Sequence, residues 1–357
     1  LSKWSMNSPT AELLGKTLVF CCDGSGTIGF GHVMRCLTLA QEAVRRGASA
    51  RVLGAGVKRA SKAWPEMSNL HIEDRGSAVW SASDAKSICS TTPDFLVIDG
   101  YYFPSEFFEE IEKFRIPVAV LDDNGETTVR KPRIVVNPSP AAPRELYANR
   151  FPDAQYLLGL EYALIRQEIL LLADAPTAPS GRLFVALGGS DPLEVTVPLV
   201  TELVAGGYQL DVALGPGVAN REQKQDSLAS LSNAELVSPN KFADALASAS
   251  LCLLGAGSLL WEANLLQKKA IALLIADNQV SPALEAQRRG IVTSVFDFRA
   301  GLEEGYAPFQ EVALGVKTAF SKSRPIRQVG LEGPKKIVDQ LSIQLHKNSS
   351  KTTDRKG

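Results

Sequence analysis

The chain has 357 residues, enough for two domains of ordinary size, with 45% hydrophobic and 22% charged residues. That is the composition of a globular protein, and a formal net charge of -1 gives no general attraction to nucleic acid or to an anionic membrane. The opening LSKWSMNSPTAELLGK has no apolar stretch of signal-peptide length and no later run reaches a membrane span, so a cytoplasmic protein is expected, and nothing identifies a protein partner.

Residues 1–16 and 347–357 read as weakly ordered extensions. After the first of these, apolar runs of strand length alternate with amphipathic stretches. The runs are TLVFCC (17–22), ARVLG (50–54), FLVID (95–99), VAVLD (118–122) and RIVVN (133–137). A second set follows, with RLFVAL (182–187), QLDVAL (209–214), SLCLL (250–254), AIALLI (270–275) and VTSVF (292–296). Buried runs of Val, Ile and Leu separated by helices predict parallel sheets covered on both faces. Periodicity lapses at 171–181, LLADAPTAPSG, a linker between domains at 17–170 and 182–346. Each domain opens with a strand, a glycine-rich turn and a helix. The expected fold is therefore α/β, two Rossmann-like domains with parallel sheets and a cleft between them, faced by the carboxyl ends of the strands. The five cysteines show no C-x-x-C spacing and read as reduced core thiols; Cys21 and Cys22, adjacent on a strand, point to opposite faces.

The first turn, DGSGTIGFGHVMRC (23–36), contains two motifs. Gly24, Gly26 and Gly29 spell a dinucleotide-binding G-x-G-x-x-G, but Phe30-Gly31 continues a helix poorly and ARVLGAG ends without the acidic residue that would bind a ribose. NAD is not expected, nor is any other cofactor. In the second motif Gly29 and Gly31 let the backbone approach a ligand closely. A helix then begins near His32, with Val33, Cys36, Leu37, Ala40 and Val44 as its apolar stripe and Gly47 at its end. His32 lies in the first turn, where the helix dipole disfavours a charged imidazole. It is either a capping or packing residue or a base that takes a proton from water. His71 and His346 have unremarkable surroundings, so His32 is the available imidazole base.

In the second domain LFVALGGSDP places Gly188, Gly189, Ser190 and Asp191 past a strand, with Pro192 suited to the first helical turn. This is either a plain turn or a cradle for phosphate oxygens. LLGAGSLLWEANLL leads through Gly257 to Ser258 as N-cap, with Glu262 one turn in, as a surface residue or as an acceptor for a ribose diol. AIALLIADNQ ends on Asp277, Asn278 and Gln279, an ordinary polar turn or a pair of amides for sugar hydroxyl and acetamido groups. Asp122-Asp123 suits a cation, but neighbouring carboxylates after a strand are more often solvated or capping, and no metal is expected.

Together these segments resemble one family, the UDP-2,4-diacetamido-2,4,6-trideoxy-β-L-altropyranose hydrolases of pseudaminic acid biosynthesis, which also resemble spore-coat polysaccharide proteins. The matching stretches are D-G-S-x-x-I-G-F-G-H-V-M-R-C-L-T-L-A (23–40), V-I-D-G-Y (97–101), G-L-E-Y-A-L-I-R-Q-E (159–168), G-G-S-D-P (188–192), G-A-G-S-L-L-W-E (255–262) and A-D-N-Q (276–279). The resemblance implies a glycosyltransferase-B-like arrangement with a UDP-sugar in the interdomain cleft. The resemblance further implies that UDP is held by the loops at Gly188–Asp191 and Gly255–Ser258 with Glu262 on the ribose, and that His32 deprotonates a water for inverting attack at the anomeric carbon. Tyr101 and Asn278 become candidate sugar contacts, with Gln279 beside them; Asp23 and Ser25 join Gly29 and Gly31 on the substrate side. The family commonly has Arg at Cys21, Asp-His-Tyr at Asp99-Gly100-Tyr101 and Leu-Ala-Asp where Asn124-Gly125 follow VLDD. All three departures fall in the sugar-facing domain, so a transferase of the same fold or a sister hydrolase for another UDP-acetamido sugar is the alternative. A non-catalytic UDP-sugar-binding protein is a third reading.

Overall fold

The structure, a computed structural model, describes residues 11–24, 29–62, 67–77, 79–101, 103–299 and 308–353. In the first sheet stand β1 (Thr17–Cys22), β2 (Ser49–Ala55), β3 (Leu70–Arg75), β4 (Phe95–Asp99), β5 (Val118–Leu121), β6 (Ile134–Asn137) and β7 (Gln155–Leu158). Their order is β3-β2-β1-β4-β5-β6-β7, parallel throughout. The second sheet holds β8 (Leu183–Ala186), β9 (Leu210–Val212), β10 (Ala234–Leu236), β11 (Leu251–Gly255), β12 (Ala270–Leu274) and β13 (Ser294–Asp297). It runs β10-β9-β8-β11-β12-β13, again parallel. The two Rossmann-like domains are thus as expected, and every apolar run read from the sequence is a strand.

Three strands were not foreseen: β3, β7 and β10. Each is an edge strand. Their residues are partly exposed, so the sequence shows broken alternation rather than an apolar run. In both sheets the direction of winding reverses beside the first strand, between β1 and β4 and between β8 and β11. In open parallel sheets the crevice at such a reversal, beyond the carboxyl ends of the strands, is where ligands are received.

The helix Gly31–Arg45 follows β1 and buries Val33, Cys36, Leu37 and Ala40 against the sheet. It ends with Gly47 at φ +94, its N–H bonded to Val44 O at 3.0 Å and that of Ala48 to Ala43 O at 3.1 Å. Those two bonds satisfy carbonyls that the helix end would leave open, and the positive φ is why glycine stands there. All five cysteines are buried free thiols; Cys22 packs with Phe20 and Leu37, Cys21 on the other face with Trp80 and Ile98.

Both expected extensions need correction. Leu13 is fully buried in the first core and its N–H bonds to Arg46 O at 3.2 Å, so residues 11–16 are attached to the domain; residues 1–10 lie outside the described residues. The last helix runs Gly333–Thr353, through most of the expected tail. It also returns to the first domain. Ile337, Val338, Leu341 and Leu345 join Leu18 and Leu37 in one core, while Arg46 Nη1 donates to Asp339 Oδ1 at 2.5 Å and Gln155 Nε2 to Gln340 Oε1 at 2.6 Å. The range 182–346 therefore includes a helix whose apolar face belongs to the other sheet. Leu341→Ala is expected to destabilise the first domain by about 3 kcal/mol, the usual cost of emptying a fully buried leucine site, read as a lower urea midpoint.

Candidate active site

The cleft between the sheets encloses about 1170 Å³ of empty space, the open solvent at its mouth included. From the first domain it is lined by Gly29, Phe30, Gly31, His32, Arg35, Asp123, Pro138 and Ser139. From the second come Gly188, Gly189, Ser190, Gly257, Ser258, Asn278 and Gln279, among others. The two glycine turns thus face each other across the cleft. They also touch: a Cβ added at Gly189 would lie 2.5 Å from the Phe30 nitrogen, so only glycine admits the first domain's loop this closely.

His32 is the second residue of its helix and is 5% exposed. Its Nδ1 lies 2.6 Å from Asp99 Oδ1 at the end of β4, the strand that pairs with β1. Arg35, one turn along the same helix, donates from Nε to Asp99 Oδ2 at 2.9 Å and from Nη2 to Oδ1 at 2.6 Å. It also reaches Asp123, with Nη1 2.5 Å from Oδ1 and Nη2 3.2 Å from Oδ2. Asp99 is wholly buried and bound on both oxygens by Arg35, so it meets the imidazole as a hydrogen-bond acceptor. Two acceptors cannot stand 2.6 Å apart, so Nδ1 faces Asp99 as the donor, and a neutral ring held this way has its lone pair on Nε2; Arg35 Nη2, itself a donor, comes within 2.8 Å of the same Nδ1. The ring also packs edge-on against Tyr101, centroids 4.8 Å apart.

Tyr101 links the two domains at this level. Its hydroxyl donates to Asp123 Oδ2 at 3.0 Å and accepts from Asn278 Nδ2 at 3.1 Å, a bond that crosses from one domain to the other. Burial, reinforced by the Asp123 charge, pushes the phenol up, so it remains a donor. Burial also acts to raise Asp123, but Arg35 outweighs it by charge and hydrogen bonding, and the carboxyl is held at about 2. The neighbouring Asp122 is buried and pairs with no cation among the described residues, and burial followed by the Asp123 charge pushes it up instead. Neither residue is a solvated surface carboxylate. Because Asp123 is depressed below its unfolded value, its stabilisation is complete above about pH 4 and disappears as pH falls through about 2. It should contribute about 2 kcal/mol at neutral pH, and Asp123→Asn should remove that part of the acid dependence in urea titrations run from pH 5 to pH 2.

Other expected contacts stand elsewhere. Asp23 is fully buried and accepts the Trp80 Nε1 proton at 2.7 Å instead of lining the cleft, and Ser25 lies outside the described residues. Asp191 turns inward and accepts the N–H groups of Val195 and Thr196, both at 3.0 Å, so the helix starts at Thr196, later than Pro192 implies. Gly257, not Ser258, is the N-cap of the helix Ser258–Leu265. Glu262 is 2% exposed, is not among the residues lining the cleft, and accepts Arg166 Nε at 2.7 Å and Nη2 at 2.6 Å, a fork that engages both of its oxygens. Gln279 lines the cleft, but its Oε1 is used by the Ile275 N–H at 2.9 Å.

Searched against known families, the chain matches no family model. It is 25% identical over 240 residues to an uncharacterized protein of Methanocaldococcus jannaschii, covering 63% of this chain and 48% of that one. It is 23% identical over 284 residues to the UDP-2,4-diacetamido-2,4,6-trideoxy-β-L-altropyranose hydrolase of Campylobacter jejuni, covering 76% of this chain and 97% of that one. The chain therefore spans about half the length of the first relative and nearly all of the second. Among solved structures, the UDP-GlcNAc 2-epimerase of M. jannaschii in complex with UDP-GlcNAc and UDP superposes with a TM-score of 0.60 at 12% identity, over 92% of this chain and all of that one. The fold is glycosyltransferase-B-like.

Asp99, Arg35 and Phe30 escaped the sequence reading as site residues, although each sat inside a quoted motif. Arg35 had a usable signal: three residues after His32, it shares a helix face with it. Asp99 had none, because its contact with His32 depends on β4 lying beside β1. Among the described residues no helix is long and apolar enough to cross a membrane.

Proposed function

We propose that the protein is an inverting hydrolase of a UDP-linked diacetamido-trideoxy sugar, releasing UDP and a free sugar from which a nonulosonic acid is built. The observation that carries this reading is the His32–Asp99 pair at 2.6 Å, in the wall of the cleft and opposite the loop at Gly188–Ser190. With Nδ1–H committed to Asp99, Nε2 takes a proton from water. The water oxygen bonds to the anomeric carbon while the bond from that carbon to the β-phosphate oxygen breaks, and UDP leaves with the electron pair. Negative charge grows on the diphosphate as it departs. Backbone N–H groups of the Gly188–Ser190 turn and of the helix that starts at Ser258 are the groups in the cleft suited to receive it. Tyr101 and Asn278, joined across the cleft, are where sugar substituents would exchange one hydrogen bond for two. The Campylobacter relative's name supports both the UDP and the diacetamido sugar.

The test is to incubate the protein with the diacetamido UDP-sugar and with UDP-GlcNAc in H2(18)O, following UDP by 31P NMR and the sugar by 1H NMR and mass. Hydrolysis at carbon puts 18O into the sugar, first seen as the inverted anomer. Label in UDP, an epimerised sugar nucleotide, or turnover only with an added acceptor would each replace this reading with another.

A further inference from the structure

The guanidinium of Arg35 is used more completely than support of one helix requires. Its side chain is 11% exposed, and all three of its nitrogens donate, to carboxylates that leave two neighbouring strands. Nη2 also stands 2.8 Å from His32 Nδ1; with Nδ1–H given to Asp99 both atoms are donors, so this is a close approach of the cation to the ring and not a hydrogen bond. The charged and titratable groups facing that ring are Asp99 from β4, Asp123 beyond β5, Tyr101 from the loop after β4, and Arg35 from the ring's own helix.

Without the arginine this would be a poor place for a base. A buried carboxylate 2.6 Å from an imidazole favours the charged ring, and a second carboxylate nearby adds to the pull. The ring would hold its second proton and have no lone pair to offer water. Arg35 supplies one positive charge between the two carboxylates and binds both oxygens of the nearer one.

From this we infer that Arg35 is a positioning residue that sets the protonation of His32, compensating Asp99 and Asp123 so that the ring stands ready as a neutral base. The inference rests on the hydrolase reading for its kinetic consequence, though not for its spectroscopic one. Arg35 touches neither the water nor the sugar in this role; it acts through Asp99 and the imidazole.

The chain has three histidines, His32, His71 and His346, so the ring signals of 15N-histidine-labelled protein can be followed through a pH titration, with His32→Asn identifying the resonance. In Arg35→Gln the His32 midpoint should rise by about one pH unit or more, and in Asp123→Asn, which removes a negative charge, it should fall. Arg35→Lys retains the charge and loses the fork, so it should shift the midpoint less than Arg35→Gln. In kinetics, the acid limb of kcat/KM should move to higher pH in Arg35→Gln, with activity recovering in alkali. An unchanged His32 midpoint in Arg35→Gln, or shifts of the same sign in Arg35→Gln and Asp123→Asn, would overturn the inference. If Arg35→Gln does not fold, the Asp123→Asn titration decides alone: a fall supports the inference and no fall overturns it. The titration needs no substrate, so absence of UDP-sugar hydrolysis would count against the proposed function and leave this result standing.

Discussion

Replacing His32 with asparagine is expected to lower the rate of UDP release by about two to four orders of magnitude, the usual contribution of a positioned base, with UDP still bound by the other side of the cleft. Asparagine is close to imidazole in reach but has no lone pair basic enough to take a proton from water. Asp99→Asn should cost about a thousandfold or more by a different route. Its amide can present a donor to Nδ1, and the ring then carries its proton on Nε2 where the lone pair is needed. Single-turnover measurements with the labelled sugar nucleotide, paired with calorimetry for UDP, separate loss of chemistry from loss of binding. Full turnover by His32→Asn would remove the imidazole from the mechanism. Asp99→Asn at the parental rate would leave His32 in place and discard the tautomer argument.

The second large effect is on stability. Arg166 and Glu262 lie 96 positions apart in the chain and form a two-pronged pair at 2.7 and 2.6 Å, with the guanidinium stacked 4.3 Å from the centre of the Phe242 ring. Arg166→Met keeps the bulk and leaves a 2%-exposed carboxylate without its cation, which should cost about 4 kcal/mol. Changing both partners, as Arg166→Met with Glu262→Leu, should recover most of that loss, because two apolar groups of similar volume need no solvation. Urea titrations of the two single variants and the double variant provide the cycle. The same set decides between two roles for Glu262. If it acts on the fold, Glu262→Leu changes the urea midpoint and leaves UDP affinity intact. If it binds the ribose, UDP affinity falls with little change in the midpoint.

Glu262 also illustrates what a linear reading can reach. One turn into a helix behind a glycine turn, it has the position of a ligand-binding carboxylate, and nothing nearby in sequence announces Arg166. The inner strands were legible because burial on both faces writes itself as a continuous apolar run; β3, β7 and β10 were not, because an edge is half wet. His32 was legible from its glycines and its helix. Arg35 is within reach of a linear reading, one turn from His32 on the same helix, but Asp99 is not, because that requires knowing that β4 lies against β1, nor is Asp123, which depends on the end of β5 coming near the other side of the guanidinium. In the last helix, the spacing of Ile337, Val338, Leu341 and Leu345 marks an apolar face, but no local signal says which of two sheets it covers.

That helix has a consequence for how the protein comes into being. During synthesis β1 and the helix that carries His32 emerge early, and the residues that complete their core emerge on the order of tens of seconds later. Until then Leu37 and its neighbours lack the cover that Ile337, Val338, Leu341 and Leu345 give them. The second sheet, whose strands all lie between 183 and 297, has its strands complete before the first domain has its last helix. The domain made first is therefore the one finished last. A circular permutant that carries Gly333–Thr353 ahead of β1 would let the first domain close before the second domain is made.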